Sequence, residues 1–219
     1  MAFRRNKKML EWIFGLKKFD LIAPFYDWAM TKVERKTLAP LRREYVKMIE
    51  GRVLDLAVGT GHNLEYYPMD KVSDVTMIDL SKGMLAKTRE KIEKRNSDYH
   101  RFNVVEAPCE QLPFDADTFD WVLSIDVMCS VDDQKQTLDE SYRVLKPGGR
   151  AIFVEHFKTG SFWYDSLLAL VTVFTYPLVG ASMIRETDRS IKSSKFVVEE
   201  CGKAVSSGFE YFVCRKVQN

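Results

Sequence analysis

Val53-Leu54-Asp55-Leu56-Ala57-Val58-Gly59-Thr60-Gly61-His62-Asn63 decides the fold of this 219-residue chain. A short apolar run ends in an acid, and a tight Gly-Thr-Gly loop follows. Eighteen positions past Gly61, the run Val75-Thr76-Met77-Ile78 ends in Asp79. The pattern reads as strand, glycine loop, helix, strand and acidic tip, the first half of a nucleotide-binding α/β domain. Glycine lets a backbone pass close beneath a bulky ligand where a Cβ would collide. A carboxylate at the tip of the next strand can accept both hydroxyls of a ribose. Alone, the same residues also describe an ordinary strand-to-helix turn.

The alternation continues outward. Strand patterns fall at 52–57, 74–78, 102–106, 119–125, 150–155, 195–199 and 209–215, with helical patterns between most of them. This predicts a Rossmann-like α/β fold: a seven-stranded, mostly parallel sheet with helices on both faces. The link between the last two strands is too short for a crossover helix, so they form a C-terminal antiparallel hairpin. Ser81 is the expected N-cap of a helix that buries Met84, Leu85, Thr88 and Ile92. Residues 25–50 read as helical, with Pro40 breaking or restarting the helix.

Composition narrows the function classes. The chain is 46% hydrophobic with a formal charge of +2, enough for one full core and without the basic field that nucleic acid requires. Four cysteines without a CxxC pair and three histidines speak against a structural metal site and for a reduced, intracellular compartment.

Two further elements are more specific than the glycine loop: Gln111-Leu112-Pro113-Phe114 before the strand Trp121–Ile125, and Arg143-Val144-Leu145-Lys146-Pro147-Gly148-Gly149 before Ala151–Val154. With them the chain resembles the class I S-adenosylmethionine-dependent methyltransferases (methyltransferase type 11), from about residue 51 to residue 158. Asp79-Leu80-Ser81-Lys82-Gly83-Met84-Leu85 is similar to the quinone-biosynthesis C-methyltransferases. Val127-Met128-Cys129-Ser130-Val131, Val154-Glu155-His156, Tyr26-Asp27 and Tyr66-Tyr67-Pro68 resemble a neighbouring branch of phospholipid and thiol methyltransferases, which is the favoured one. The resemblance implies S-adenosyl-L-methionine as cofactor and an enzyme that methylates a small acceptor.

The resemblance also distributes roles. The loop Ala57, Gly59 and Gly61 would approach the methionine part of the cofactor, with Asp55 orienting the loop and the ammonium group. Ala57 stands where the family usually has glycine. Asp79 would accept the ribose hydroxyls, while Leu80 and Met84 line the adenine pocket or simply pack in the core. Pro108 replaces an acidic residue that often meets the adenine amino group, so base recognition falls to the backbone near Cys109 and Glu110. Ser124 ends the fourth strand, where open parallel sheets present ligands. Asp126, His156 and Tyr26 are the candidate catalytic groups. Arg185 and Arg189 either meet an anion on the acceptor or lie on a solvated helix. No metal site is expected, because a sulfonium donor is already activated.

Residues 1–50 form a helical N-terminal segment, residues 51–219 the cofactor-binding domain, with an apolar cap inserted at about 160–192. Within 4–19, Met9, Leu10, Trp12, Ile13, Phe14, Leu16 and Phe19 share one helical arc opposite Lys7, Lys8, Glu11 and Lys18. That segment reads as a lid, an interfacial membrane helix or an organelle-targeting segment. Residues 166–184 carry no charge over nineteen positions but are interrupted by Pro177 and Gly180, which favours a cap over the acceptor rather than a span. A hydrophobic or membrane-associated acceptor follows: a lipid headgroup, a quinone-like ring or a thiol. The compartment is cytoplasmic or mitochondrial, with peripheral membrane contact. Two rivals stand beside this: a non-catalytic cofactor-binding assembly protein, and a nicotinamide-dependent oxidoreductase, disfavoured by the missing third glycine and the final hairpin.

Overall fold

A computed structural model describes residues 17–95, 99–156, 170, 172–173, 182, 185–206 and 208–218. Helix α1 (Lys17–Val33) runs through a π-helical turn, Glu34–Leu38, into α2 (Ala39–Tyr45). The wide turn falls just before Pro40, whose missing N–H and ring would otherwise collide with the preceding turn. The expected break is thus absorbed without ending the helical run. Then follow β1 (Gly51–Asp55), β2 (Val72–Asp79), α3 (Lys82–Glu93), β3 (Phe102–Glu106), β4 (Phe119–Ile125), α4 (Gln134–Val144), β5 (Leu145–His156), α5 (Thr187–Lys192), β6 (Val197–Lys203) and β7 (Phe209–Arg215).

The seven strands form one sheet in the order β3-β2-β1-β4-β5-β7-β6. β1 to β5 are parallel, while β7 pairs antiparallel with β5 and β6 with β7. The Rossmann-like sheet with its antiparallel C-terminal strands is therefore present. Alternate residues feed two cores: Val53, Val75, Met77, Leu123, Ile152 and Val154 on one face, Leu54, Ile78, Val122, Ala151 and Phe153 on the other. Both faces are apolar because helices cover both.

Helix α1 is held by polar contacts to α3 and to the loop after β1. Asp20 accepts from the Ser81 hydroxyl (2.5 Å) and the Gly83 N–H (2.8 Å) at the start of α3. A Cβ on Gly83 would lie 3.0 Å from the Asp20 Cα, so the close approach needs glycine. Two turns further along the same face, Asp27 accepts from the Thr60 hydroxyl (2.5 Å) and pairs with Lys91 (2.7 Å). The expected amphipathic arc at 4–19 lies almost wholly outside the described residues, as does most of the apolar run 166–184. Among the described residues no helix is long and apolar enough to cross a membrane.

Candidate active site

The chain order reverses between β1 and β4, and ligands of open α/β sheets settle outside the carboxyl ends of the strands at such a point. A strained residue follows each strand: Ala57 has φ 44° and Asp126 φ 61°, left-handed values that side chains rarely adopt. Gly59 (φ 59°) and Gly61 (φ 79°) share the loop after β1. A Cβ on Gly59 would meet nothing within 4 Å, so this backbone faces open space. At Gly61 a Cβ would meet Leu64 at 3.0 Å and Thr88 at 3.1 Å, so that glycine serves packing beneath the loop.

Asp79 locks the loop from the tip of β2. Its carboxylate accepts from the Gly59 N–H (2.8 Å) and the Ser81 N–H (2.8 Å), and Thr88 donates to the Gly59 carbonyl (2.8 Å). Burial raises the Asp79 pKa, partly offset by those backbone donors. Each oxygen keeps a lone pair for a hydroxyl donor. Asp55 is wholly buried. One oxygen accepts from Asn63 (2.7 Å) and Tyr67, while the other has no partner. Burial lifts its pKa to about 6. Leu80 is 45% exposed beside the loop, whereas Met84 is buried under α3 with its N–H capped by Ser81.

The other predicted contacts divide. The Cys109 thiol is buried, and burial pushes its pKa far up. Glu110 turns away from the loop and accepts from the Asp132 N–H (2.7 Å), ahead of α4. Ser124 is buried and donates to Glu155 (2.7 Å). Arg185 donates to the Met128 and Val131 carbonyls and Arg189 pairs with Glu186 on the surface, so both already have protein partners.

Asp126 and His156, from adjacent strands, meet at 3.2 Å between Oδ1 and Nε2. The His156 ring lies against Phe209, centroids 3.9 Å apart, and its Nδ1 is buried without a partner. Burial raises the Asp126 pKa, with His156 and then Arg42 pulling it back. Tyr26 of α1 sits in the same field; burial first and Asp126 second push its pKa upward. Of the three catalytic candidates, Asp126 and His156 are thus in direct contact at the end of β4.

Sequence reading missed the acids and bases behind this surface. Glu155 accepts from Ser124, Val127 N–H (3.0 Å) and Met128 N–H (3.0 Å), and burial lifts its pKa to about 8. Arg42, buried, binds Glu34 (2.9 Å) and donates to Asn63 (2.5 Å), which in turn holds Asp55. For Glu34 the available signal was the seven-residue recurrence of Asp20, Asp27 and Glu34, which puts the three acids on one helical face. Among the described residues no group of His, Cys, Asp and Glu could hold a metal ion.

Residues 54–153 match the methyltransferase domain family Methyltransf_11. The ubiquinone/menaquinone biosynthesis C-methyltransferases UbiE of Geobacter sulfurreducens and Geotalea uraniireducens are 36% and 32% identical. Each alignment covers 74% of this chain, with 65% and 71% of the relative. The chain belongs to the class I S-adenosylmethionine-dependent methyltransferases. The phosphatidylethanolamine N-methyltransferase of Cereibacter sphaeroides is 34% identical over 60% of this chain and 63% of its own length. The chain spans 63–65% of the length of the two UbiE relatives from Geobacter sulfurreducens and Geotalea daltonii. A chain of the solved complex between the Haloferax volcanii Trm112 methyltransferase activator and a methyltransferase superimposes with TM-score 0.71. It covers 91% of this chain and 98% of that one at 20% identity, a likeness of fold.

S-adenosylmethionine is the cofactor of this methyltransferase family, and the residues present fit it. The open face at Gly59 leaves room for a bulky group, Asp79 offers acceptors for hydroxyls, and the unpartnered Asp55 oxygen suits an ammonium group. Ala57 adopts the left-handed conformation that glycine takes more easily, so the alanine is accommodated at a cost of about 1–2 kcal/mol.

Proposed function

We propose that this chain transfers the methyl group of S-adenosylmethionine to a small hydrophobic acceptor, a quinone-like ring, a lipid headgroup or a thiol, inside the cell and beside a membrane. The observation that carries the reading is the Asp126–His156 pair at the carboxyl ends of β4 and β5, next to the cofactor loop. When bound, S-adenosylmethionine supplies a methyl group already activated by a positive sulfur. The protein's task is alignment and exclusion of water, which can supply on the order of 7–11 kcal/mol of barrier reduction.

In this reading Gly59, Asp79 and Asp55 hold the cofactor, Leu80 flanks its base, and the backbone at Cys109 serves the adenine edge. Asp126 faces Nε2 of His156, and this pair, rather than the buried Nδ1, is the group that receives a proton. The bond from hydrogen to the acceptor's reacting atom breaks and the proton passes to His156. S-adenosylmethionine held by Gly59, Asp79 and Asp55 would supply the methyl carbon that takes up the freed electron pair, with the carbon–sulfur pair staying on sulfur as a neutral thioether. Tyr26 closes the chamber from α1. The relatives named for quinone and phosphatidylethanolamine methylation support the choice of acceptor class.

The test incubates the chain with methyl-labelled S-adenosylmethionine and, separately, a demethylated quinone, phosphatidylethanolamine and a small thiol. Label in the product of one arm, lost in His156→Ala, supports the reading. S-adenosylhomocysteine binding without label in any arm favours the non-catalytic assembly protein instead, a role with which Ala57 and Pro108 are compatible.

A further inference from the structure

Residues 20–36 separate their charges across one helix. All three acids turn inward: Asp20 to Ser81 and Gly83, Asp27 to Thr60 and Lys91, Glu34 to Arg42. All three bases in the same stretch, Lys32, Arg35 and Lys36, are exposed and make no ion pair among the described residues. On that outer side stand Phe25, 69% exposed, and Trp28, 82% exposed, about two turns and one turn ahead of Lys32. A solvent-facing helix surface does not need two large aromatics, and exposed apolar groups rimmed by one sign of charge mark a contact surface.

We infer that the outer face of α1 and the π-helical turn docks on an anionic phospholipid surface. The inference deepens, and rests on, the reading that the acceptor is hydrophobic, because the same helix carries Tyr26, largely buried and within the electrostatic reach of Asp126. Docking would therefore set the acceptor end of the sheet against the bilayer. Trp28 and Phe25 have the chemistry of the headgroup boundary, where aromatic rings settle. Lys32, Arg35 and Lys36 complement anionic headgroups, and no acid on that face opposes them. The same charge argues against a second copy as occupant, since two such faces would bring six cations together.

The experiment is co-sedimentation of the full chain with vesicles of phosphatidylcholine, alone or mixed with phosphatidylglycerol. It uses wild type, Phe25→Ser/Trp28→Ser and Lys32→Glu/Arg35→Glu/Lys36→Glu. Each basic residue near an anionic surface is worth about fivefold in partitioning, so the charge variant loses on the order of a hundredfold. Wild type is expected to pellet with the anionic vesicles, less so at high salt, and both variants to stay in the supernatant. All three should keep the same melting upshift with S-adenosylhomocysteine. Wild type that ignores anionic vesicles, variants that pellet equally well, or a dimer in sedimentation velocity that both variants abolish would overturn the inference. Loss of the S-adenosylhomocysteine upshift in wild type would instead overturn the proposed function.

Discussion

Gly59→Leu separates cofactor space from protein packing. The new Cβ meets no atom within 4 Å, so its cost in the folded chain is backbone strain at φ 59°. That strain is about 1–2 kcal/mol, and the lost entropy of glycine in the unfolded chain returns about 0.4–1 kcal/mol. The net of about 1 kcal/mol lowers the melting temperature by roughly 2–4 °C at this chain length. S-adenosylhomocysteine at a hundredfold excess over its dissociation constant stabilises a binding protein by about 2.7 kcal/mol. By the same conversion wild type should melt roughly 5–10 °C higher with ligand, and Gly59→Leu should not respond. The assay is differential scanning fluorimetry with and without ligand. An unchanged upshift in Gly59→Leu would refute the placement of the cofactor against this loop. Gly61 is a poor substitute: its Cβ would strike Leu64 and displace Thr88 from the Gly59 carbonyl, so lost binding there would report a damaged fold.

Gly83→Leu forces a side chain against the Asp20 backbone at 3.0 Å, which should cost about 1–3 kcal/mol and lift α1; limited proteolysis should then cut within 20–33 faster, with circular dichroism nearly intact. Arg42→Met strands buried Glu34 and Asn63, and chemical denaturation should show a loss of about 3–5 kcal/mol. Glu155 holds a proton in the folded state up to about pH 8, against 4.5 for an ordinary glutamate. Its contribution is therefore full below 4.5, declines as pH rises toward 8 and is flat beyond, because the folded chain binds the extra proton in that window. Melting curves of Glu155→Gln should lose that part of the decline; the same slope in both proteins would show that Glu155 is ionised throughout.

The sheet was legible because apolar alternation and glycine punctuation are local. Strands 102–106, 119–125 and 209–215 coincide with β3, β4 and β7, and Ser81 caps the helix that buries Met84, Leu85, Thr88 and Ile92. β5 starts earlier than the apolar run because Leu145 already pairs with Phe119, across a register shift. β6 runs to Lys203 rather than 199 because an edge strand with mostly exposed side chains carries little alternation. Side-chain direction was less legible. Glu110 and Arg185 satisfy loop backbone groups 22 and 54–57 positions away, and nothing in their neighbourhoods along the chain announces those partners. Buried Glu155 was read only as part of a family resemblance, since its partners lie on the neighbouring strand and the loop beyond it.

Calorimetric titration of S-adenosylhomocysteine, beside NADH, into wild type and Asp79→Ala tests the central claim most directly. The fold and the lone pairs of Asp79 predict micromolar or tighter binding of S-adenosylhomocysteine and no heat with NADH. Removing a charged acceptor worth roughly 1.5–3 kcal/mol should weaken Asp79→Ala about ten- to a hundredfold. Binding of NADH with no response to S-adenosylhomocysteine, or equal affinity in the two proteins, would contradict the account.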